Sequence, residues 1–159
     1  MAEKEIKFSY HTFNFGELPI ADAELLQAAK DVLQNAYAPY SGFKVGAAVL
    51  LENGHVLTGT NQENAAFPVG LCAEGTALSV ASSLFPQTGI KKIAISVKSS
   101  THTVQHPVAP CGVCRQRLLE YETRFNNSIE IILMGETGDV LVIKSVKDIL
   151  PFYFSKSEL

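Results

Sequence analysis

Basic charge is scarce in this chain. Thirteen Lys and Arg stand against sixteen Asp and Glu, giving a net charge of −3 and a pI near 5.8. That is the wrong sign for a protein that tracks a phosphate backbone, so nucleic acid is not expected as a partner. Long apolar runs are missing too. The densest, Val45–Leu51, stops far short of the ~20 residues that cross a bilayer, and no membrane span is expected. The opening MAEKEIKFSY mixes acids with bases and has no apolar stretch, so no secretory leader is expected and the cytoplasm is the expected compartment. Repeats, linkers and low-complexity tracts are absent from the 159 residues, of which 47% are hydrophobic; one domain around one core is expected. Cysteine is sparse. Three thiols cannot all pair with one another, and in a reducing compartment such a set points to metal ligation or catalysis.

What is present is an alternation of periods. Leu25, Leu26, Ala29, Val32, Leu33, Ala36 and Tyr37 recur at helical spacing and predict an amphipathic helix over Ala21–Ala38, stopped by Pro39. Phe43–Leu51 and His55–Thr60 flank the turn Glu52-Asn53-Gly54 and predict a β-hairpin. Helical spacing returns over Ala73–Leu84. Ile93, Ile95 and Val97 then alternate within an inner strand over Lys91–Lys98. Ser99–Pro110 is a long aperiodic loop with two prolines, a class that is often functional. It leads into a short helix over Gly112–Tyr121. Strands over Ile129–Met134 and Val140–Val146 follow, and a last helical turn is expected over Val146–Phe152. Helices separated by strands in this order predict an α/β sandwich, with helices on both faces of a central sheet and one hairpin edge.

Cys111 and Cys114 form a Cys-x-x-Cys pair at the start of a helix, a spacing that suits two thiolates on one metal. Cys72, in Gly70-Leu71-Cys72-Ala73-Glu74, also stands where a helix begins. The positive end of a helix dipole favours the thiolate, which is the form that binds metal. Three soft sulfur donors suit Zn²⁺. With no fourth cysteine, the fourth position is left for water, as in a catalytic site. A closed structural site would need another ligand, and His102 and His106 have no short ligand spacing to Cys111. Zinc lowers the pKa of its water to about 7, and a neighbouring carboxylate can carry the released proton to a substrate. Glu74 is the candidate, on the condition that Cys72 lies in or before the first helical turn, because residues two apart on a regular helix do not face the same way.

Cys72-Ala73-Glu74 together with Pro110-Cys111-Gly112-Val113-Cys114 resembles the zinc nucleoside and nucleotide deaminases, in which the non-ligand Glu is the acid/base. Asn61-Gln62-Glu63-Asn64-Ala65-Ala66 and Pro39-Tyr40-Ser41-Gly42-Phe43-Lys44-Val45-Gly46-Ala47-Ala48 are similar to the small homotetrameric cytidine deaminases. The similarity runs from about Ala21 to the C-terminus. It implies a three-layer α-β-α sandwich with a mixed central sheet, formed by a single domain over residues 21–159. Residues 1–20 are left as an N-terminal extension of unknown role, in which Ile6, Phe8, Phe13 and Phe15 could add a strand or cover an interface. The resemblance also implies one Zn²⁺ per subunit on Cys72, Cys111 and Cys114, with Glu74 as the catalytic residue. It sets Asn61 and Glu63 on the ribose hydroxyls, Phe43 on the pyrimidine, and the Ala73 carbonyl with Glu74 on the exocyclic amine. Phe154, in Phe152-Tyr153-Phe154, would reach into a neighbour's site. The implied reaction is hydrolytic deamination of cytidine and deoxycytidine to uridine and deoxyuridine with release of ammonia, a step of pyrimidine salvage. A carboxylate at Glu63 repels a nearby phosphate, which favours a nucleoside over a nucleotide.

The chain departs from that family at Gly75, where the family has an Arg that hydrogen-bonds ligand sulfurs and offsets the −1 charge of three thiolates on Zn²⁺. Arg115, directly after Cys114, is expected to carry more of that load, and Gly75→Arg is expected to leave activity unchanged or raise it. Two other readings remain. One is a deaminase of an aminoacyl-nucleoside antibiotic of the blasticidin type, which shares the cysteine motifs but lacks the Asn-x-Glu-Asn run. The other is a non-catalytic, zinc-stabilised binding protein, which would be indifferent to Glu74.

Overall fold

In the computed structural model, which describes residues 1–159, six strands and three α-helices are formed. The strands are β1 (Tyr10–Phe13), β2 (Phe43–Leu51), β3 (Val56–Thr60), β4 (Ile90–Ser99), β5 (Glu130–Met134) and β6 (Val140–Ile143). The helices are α1 (Ile20–Asp31), α2 (Ala73–Leu84) and α3 (Gly112–Phe125). All six strands join one sheet in the order β1-β6-β5-β4-β2-β3. Only β4 and β5 pair in parallel, across the connection that contains α3; every other pair is antiparallel, so the sheet is mixed. The β2–β3 hairpin forms one edge, as its turn signal predicts.

The period of two along the central strands divides the core into two layers. Ala47, Val49, Ile93, Ile95, Ile131 and Leu133 face Ala77, Leu78 and Ala81 of α2 and Leu118 and Leu119 of α3. Ala48, Ala94, Ile132 and Val142 face Leu25, Leu26 and Ala29 of α1. This is the expected three-layer α-β-α sandwich. Fully buried side chains such as Ile93 and Ile131 each contribute about 1.5–3 kcal/mol to its stability. Close approach of α2 depends on Gly59 in β3, where a Cβ would lie 2.7 Å from the Ala73 carbonyl oxygen and would overlap the backbone nitrogen of Ala77.

The elements differ from their sequence expectations mainly at their ends. The α-helix predicted to Ala38 stops at Asp31 and tightens into a 3₁₀ turn over Val32–Asn35. Beyond it the backbone of Tyr37 bonds to Asn61 and Glu63, which pulls the chain out of helix. α3 runs past the expected Tyr121 to Phe125 and is closed by Asn126 in the left-handed conformation. Its last turn is polar in sequence, yet Glu122 is buried and accepts hydrogen bonds from Ile129 N, Val146 N and Ser145 Oγ. β6 ends at Ile143, before the expected Val146, because Ser145 caps a 3₁₀ turn over Val146–Ile149. In the N-terminal stretch, Tyr10–Phe13 forms β1, antiparallel to β6 at the far edge of the sheet. No helix is long and apolar enough to cross a membrane.

Candidate active site

Two helix starts meet on one side of the sheet. Cys72 is the N-cap of α2, with extended backbone angles, and its Sγ accepts the Gly75 N–H at 3.3 Å. Cys111 is the N-cap of α3, and Cys114 is the third residue of that helix. Cys114 Sγ lies 2.9 Å from Cys72 Sγ and 3.7 Å from Cys111 Sγ. Zinc–sulfur bonds of about 2.3 Å give a tetrahedron with edges of about 3.8 Å. The Cys111–Cys114 pair already has that spacing, and the Cys72–Cys114 pair reaches it by opening about 0.9 Å. Cys111, the exposed member of the three, stands outside the tight cluster of Cys72, Cys114 and Glu74, so the three sulfurs share one zinc once its side chain swings inward. The Cys114 thiol donates to Cys72, and this bond holds the Cys72 thiol well below its ordinary range against the cost of burial. The same bond, together with burial, pushes the Cys114 thiol up. Metal binding takes both sulfurs as thiolates and releases the protons they hold.

Glu74 is the second residue of α2 and only 5% exposed. One of its carboxylate oxygens and the sulfurs of Cys72 and Cys114 lie within 4.8 Å of one another. The condition set by the sequence is met: Cys72 precedes the first turn, so the chain bends between the two residues and both face one point. Ala73, between them, is fully buried. Neither histidine of the preceding loop joins the cluster; His102 Nδ1 lies 3.0 Å from the Thr101 hydroxyl.

The thiols and Glu74 form the floor of a cavity of about 240 Å³, walled by Phe43, Val45, Ile95, Val97, Val108 and Ala109. Its walls are apolar, and the aperiodic loop supplies the last two. A second cavity of about 550 Å³ shares Cys72 and is lined by Tyr40, Ser41, Asn61, Glu63, Asn64 and Phe67 among others. The Asn61 side chain accepts the Val45 N–H at 2.8 Å and donates to the Phe43 carbonyl at 2.9 Å, fixing the start of β2. One N–H and one lone pair of that amide remain for a ligand. Glu63 accepts the backbone N–H groups of Tyr40 and Ser41 and the Ser41 hydroxyl. These donors, the Ser41 hydroxyl first, hold its carboxyl below the usual glutamate range. The Tyr40 and Phe67 rings meet edge to face at 5.8 Å beside it. A third cavity, of about 540 Å³ between Lys30, Lys44 and Lys98, lies away from the thiols.

The structure therefore gathers Phe43, Asn61, Glu63, Glu74 and the three cysteines around adjoining cavities. It does not bring Ala73 to their lining: that residue is fully buried and its carbonyl oxygen faces Gly59 of β3. Nor does the structure bring Phe154 to these cavities. That ring is 58% exposed, and its carbonyl accepts Gln116 Nε2 at 2.8 Å. Arg115 is turned from the sulfurs, donating to the Pro110 carbonyl at 2.8 Å and the Ile149 carbonyl at 2.7 Å. The cation at the sulfurs is Arg117, whose Nη1 donates to Cys72 Sγ at 3.6 Å. Sequence reading passed over it. The available signal was its position three residues after Cys114, on the same helical face.

A family profile described as the cytidine and deoxycytidylate deaminase zinc-binding region matches residues 19–126. A cytidine deaminase of Sporosarcina psychrophila is 38% identical over 137 residues, covering 86% of this chain and 93% of its own. One from Halalkalibacterium halodurans is 36% identical over 135 residues, covering 85% and 95%. The crystal structure of cytidine deaminase from Burkholderia pseudomallei superposes with a TM-score of 0.72 at 40% identity, over 82% of this chain and 97% of that one.

Proposed function

The chain belongs to the cytidine and deoxycytidylate deaminase zinc-binding family, and from that premise we propose that it hydrolyses cytidine and deoxycytidine to uridine and deoxyuridine with release of ammonia, in pyrimidine salvage. The observation that carries this reading is the Glu74 carboxylate beside ligand sulfurs at the floor of an apolar slot. Cys72, Cys111 and Cys114 would hold one Zn²⁺ per subunit, which when bound would supply an acidified water. The slot shields one face of a pyrimidine, with Phe43 packing on the ring. Glu74 accepts one proton of the attacking water and passes it to N3; it then takes the second from the hydroxyl now on C4, which becomes the carbonyl as the C4–N bond breaks, and delivers it to the departing amine. Water and cytidine go in; uridine and ammonia come out.

Asn61 and Glu63 stand at the polar mouth and hold the sugar hydroxyls. A carboxylate there disfavours a phosphate, so the substrate is the nucleoside. The relatives carry cytidine deaminase names, so neither the antibiotic-type substrate nor a purely structural zinc role is favoured. The protein assembles as a homotetramer, a reading supported by exposed apolar residues at the site's mouth. Its free thiols suit a reducing compartment, which supports a cytoplasmic location.

Loss of cytidine absorbance tests this function. Wild-type protein is expected to turn cytidine over, whereas Glu74→Gln is expected to keep its zinc and lose at least about a hundredfold in kcat. Removal of zinc by a chelator is expected to stop turnover reversibly. Equal turnover by Glu74→Gln would reject Glu74 as the acid/base.

A further inference from the structure

The sulfur cluster needs a cation. Three thiolates on Zn²⁺ leave a net charge of −1, which weakens the metal as an electrophile and makes the sulfurs easier to protonate and lose. Arg115 is committed to two backbone carbonyls. Arg117 comes from the helix that carries Cys111 and Cys114, yet its Nη1 crosses to α2 and donates to Cys72 Sγ. It reaches that sulfur through a gap that exists only because residue 75 is glycine. A Cβ there would fall on Arg117 Nη1, 3.1 Å from Arg117 Cζ and 2.9 Å from Cys72 Sγ. The guanidinium fills the volume that any side chain at position 75 would claim.

We propose that Arg117 is the charge-compensating residue of the zinc site and that Gly75 is the space it requires, the two positions forming one unit. Arg117 lines neither cavity of the site. It is a positioning residue that acts through Cys72: its hydrogen bond fixes the sulfur, draws electron density from it and brings the cluster to neutrality. A consequence separates this account from the one based on Arg115. Gly75→Arg on its own does not improve the site, because the new side chain and Arg117 compete for one space. In a chain lacking the Arg117 side chain the clash with the guanidinium is gone, and the same substitution can restore a guanidinium beside Cys72 once that sulfur gives by a few tenths of an ångström.

The inference rests on the reading of the thiols as a zinc site, so its readout is the metal itself rather than turnover alone. Zinc release into an excess of a chromogenic chelator is followed for wild type, Arg117→Ala, Arg117→Lys, Gly75→Arg and the Gly75→Arg/Arg117→Ala double variant. Replacement of zinc by Co²⁺ adds the sulfur-to-cobalt charge-transfer band. Arg117 is an exposed residue, so its truncation opens no core cavity. Arg117→Ala is expected to release zinc about 10–100-fold faster. It is also expected to shift the charge-transfer band and to lower kcat without raising the KM for cytidine. Arg117→Lys is expected to fall between it and wild type, Gly75→Arg to release zinc faster than wild type, and the double variant to regain most of the loss. Wild-type release and an unmoved band in Arg117→Ala overturn the proposal. So does a double variant no better than Arg117→Ala. A protein that binds zinc in this pattern yet leaves cytidine untouched would reject the substrate and keep the inference.

Discussion

The carboxylate of Glu63 is fixed before any ligand arrives. Tyr40 N, Ser41 N and the Ser41 hydroxyl occupy three of its acceptor sites, leaving roughly one for a sugar hydroxyl. A group so oriented strengthens binding without touching the reacting carbon, so its loss belongs in KM. Glu63→Gln is expected to raise the KM for cytidine about tenfold or more, the scale of a hydrogen bond to a charged group, with kcat changed far less. Steady-state kinetics at neutral pH separate the two. The same donors give a pH signature. The folded-state pKa of Glu63 is lowered from its ordinary 4.5, so its stabilising contribution is fully present above 4.5 and disappears as the pH falls through the lowered value. The melting-temperature gap between wild type and Glu63→Gln is therefore expected to stay constant from neutral pH to about 4.5 and to narrow below it. A gap that widens on acidification would contradict the hydrogen-bond arrangement.

At the scale of elements, the placement of α2 decides whether Cys72 and Glu74 meet α3 at all. Its first turns rest on β3 at Gly59, and there the obstacle to a side chain is backbone, the Ala73 carbonyl and the Ala77 nitrogen, which cannot swing aside. Gly59→Ala is expected to push the start of α2 off the sheet at a cost of about 1–3 kcal/mol. A chain of this size then melts roughly 2–4 °C lower per kcal/mol. Because the displaced turn carries Cys72 and Glu74, zinc content and kcat are expected to fall together, whereas a substitution at an exposed position of α1 such as Glu24 would lower neither. Thermal melts with metal analysis check this. Elements marked by a local period or a turn signal were legible in the sequence, including the hairpin, α2 and the inner strand β4. Those set by a distant polar contact were not. The last turn of α3 reads as solvated because Glu122-Thr123-Arg124 is polar, but Glu122 is buried by donors from Ile129, Ser145 and Val146 that no local pattern announces. The shortened α1 has the same origin, since the Tyr37 N–H donates to the Asn61 carbonyl and the Tyr37 carbonyl accepts the Glu63 N–H, in a segment more than twenty residues away.

For the molecule as a whole, the legible part of the site was the part written in short motifs. Cys72, Glu74, Cys111 and Cys114 sit within five residues of one another or repeat a metal spacing, and helix starts bring them together. Arg117 escaped because its role depends on an empty space at Gly75 across a helix interface. Phe154 poses the opposite case. Its assignment came from resemblance alone, and within one chain its ring points to solvent, 58% exposed, beyond the end of the fold. Phe152 is 94% exposed, and around the site's mouth Phe67 and Leu71 are 73% and 51% exposed. Aromatic side chains left in water at a chain end and at a pocket rim are surfaces that a second copy can cover. Light scattering is expected to give four times the 17.2 kDa chain mass. If a neighbour's Phe154 closes each pocket, Phe154→Ala is expected to raise the KM for cytidine several-fold while zinc content stays at one per chain and the mass stays tetrameric. A monomeric mass at concentrations where turnover persists would remove the neighbour from the site. The slot formed by Phe43, Val108 and Ala109 would then have to bind the base unaided.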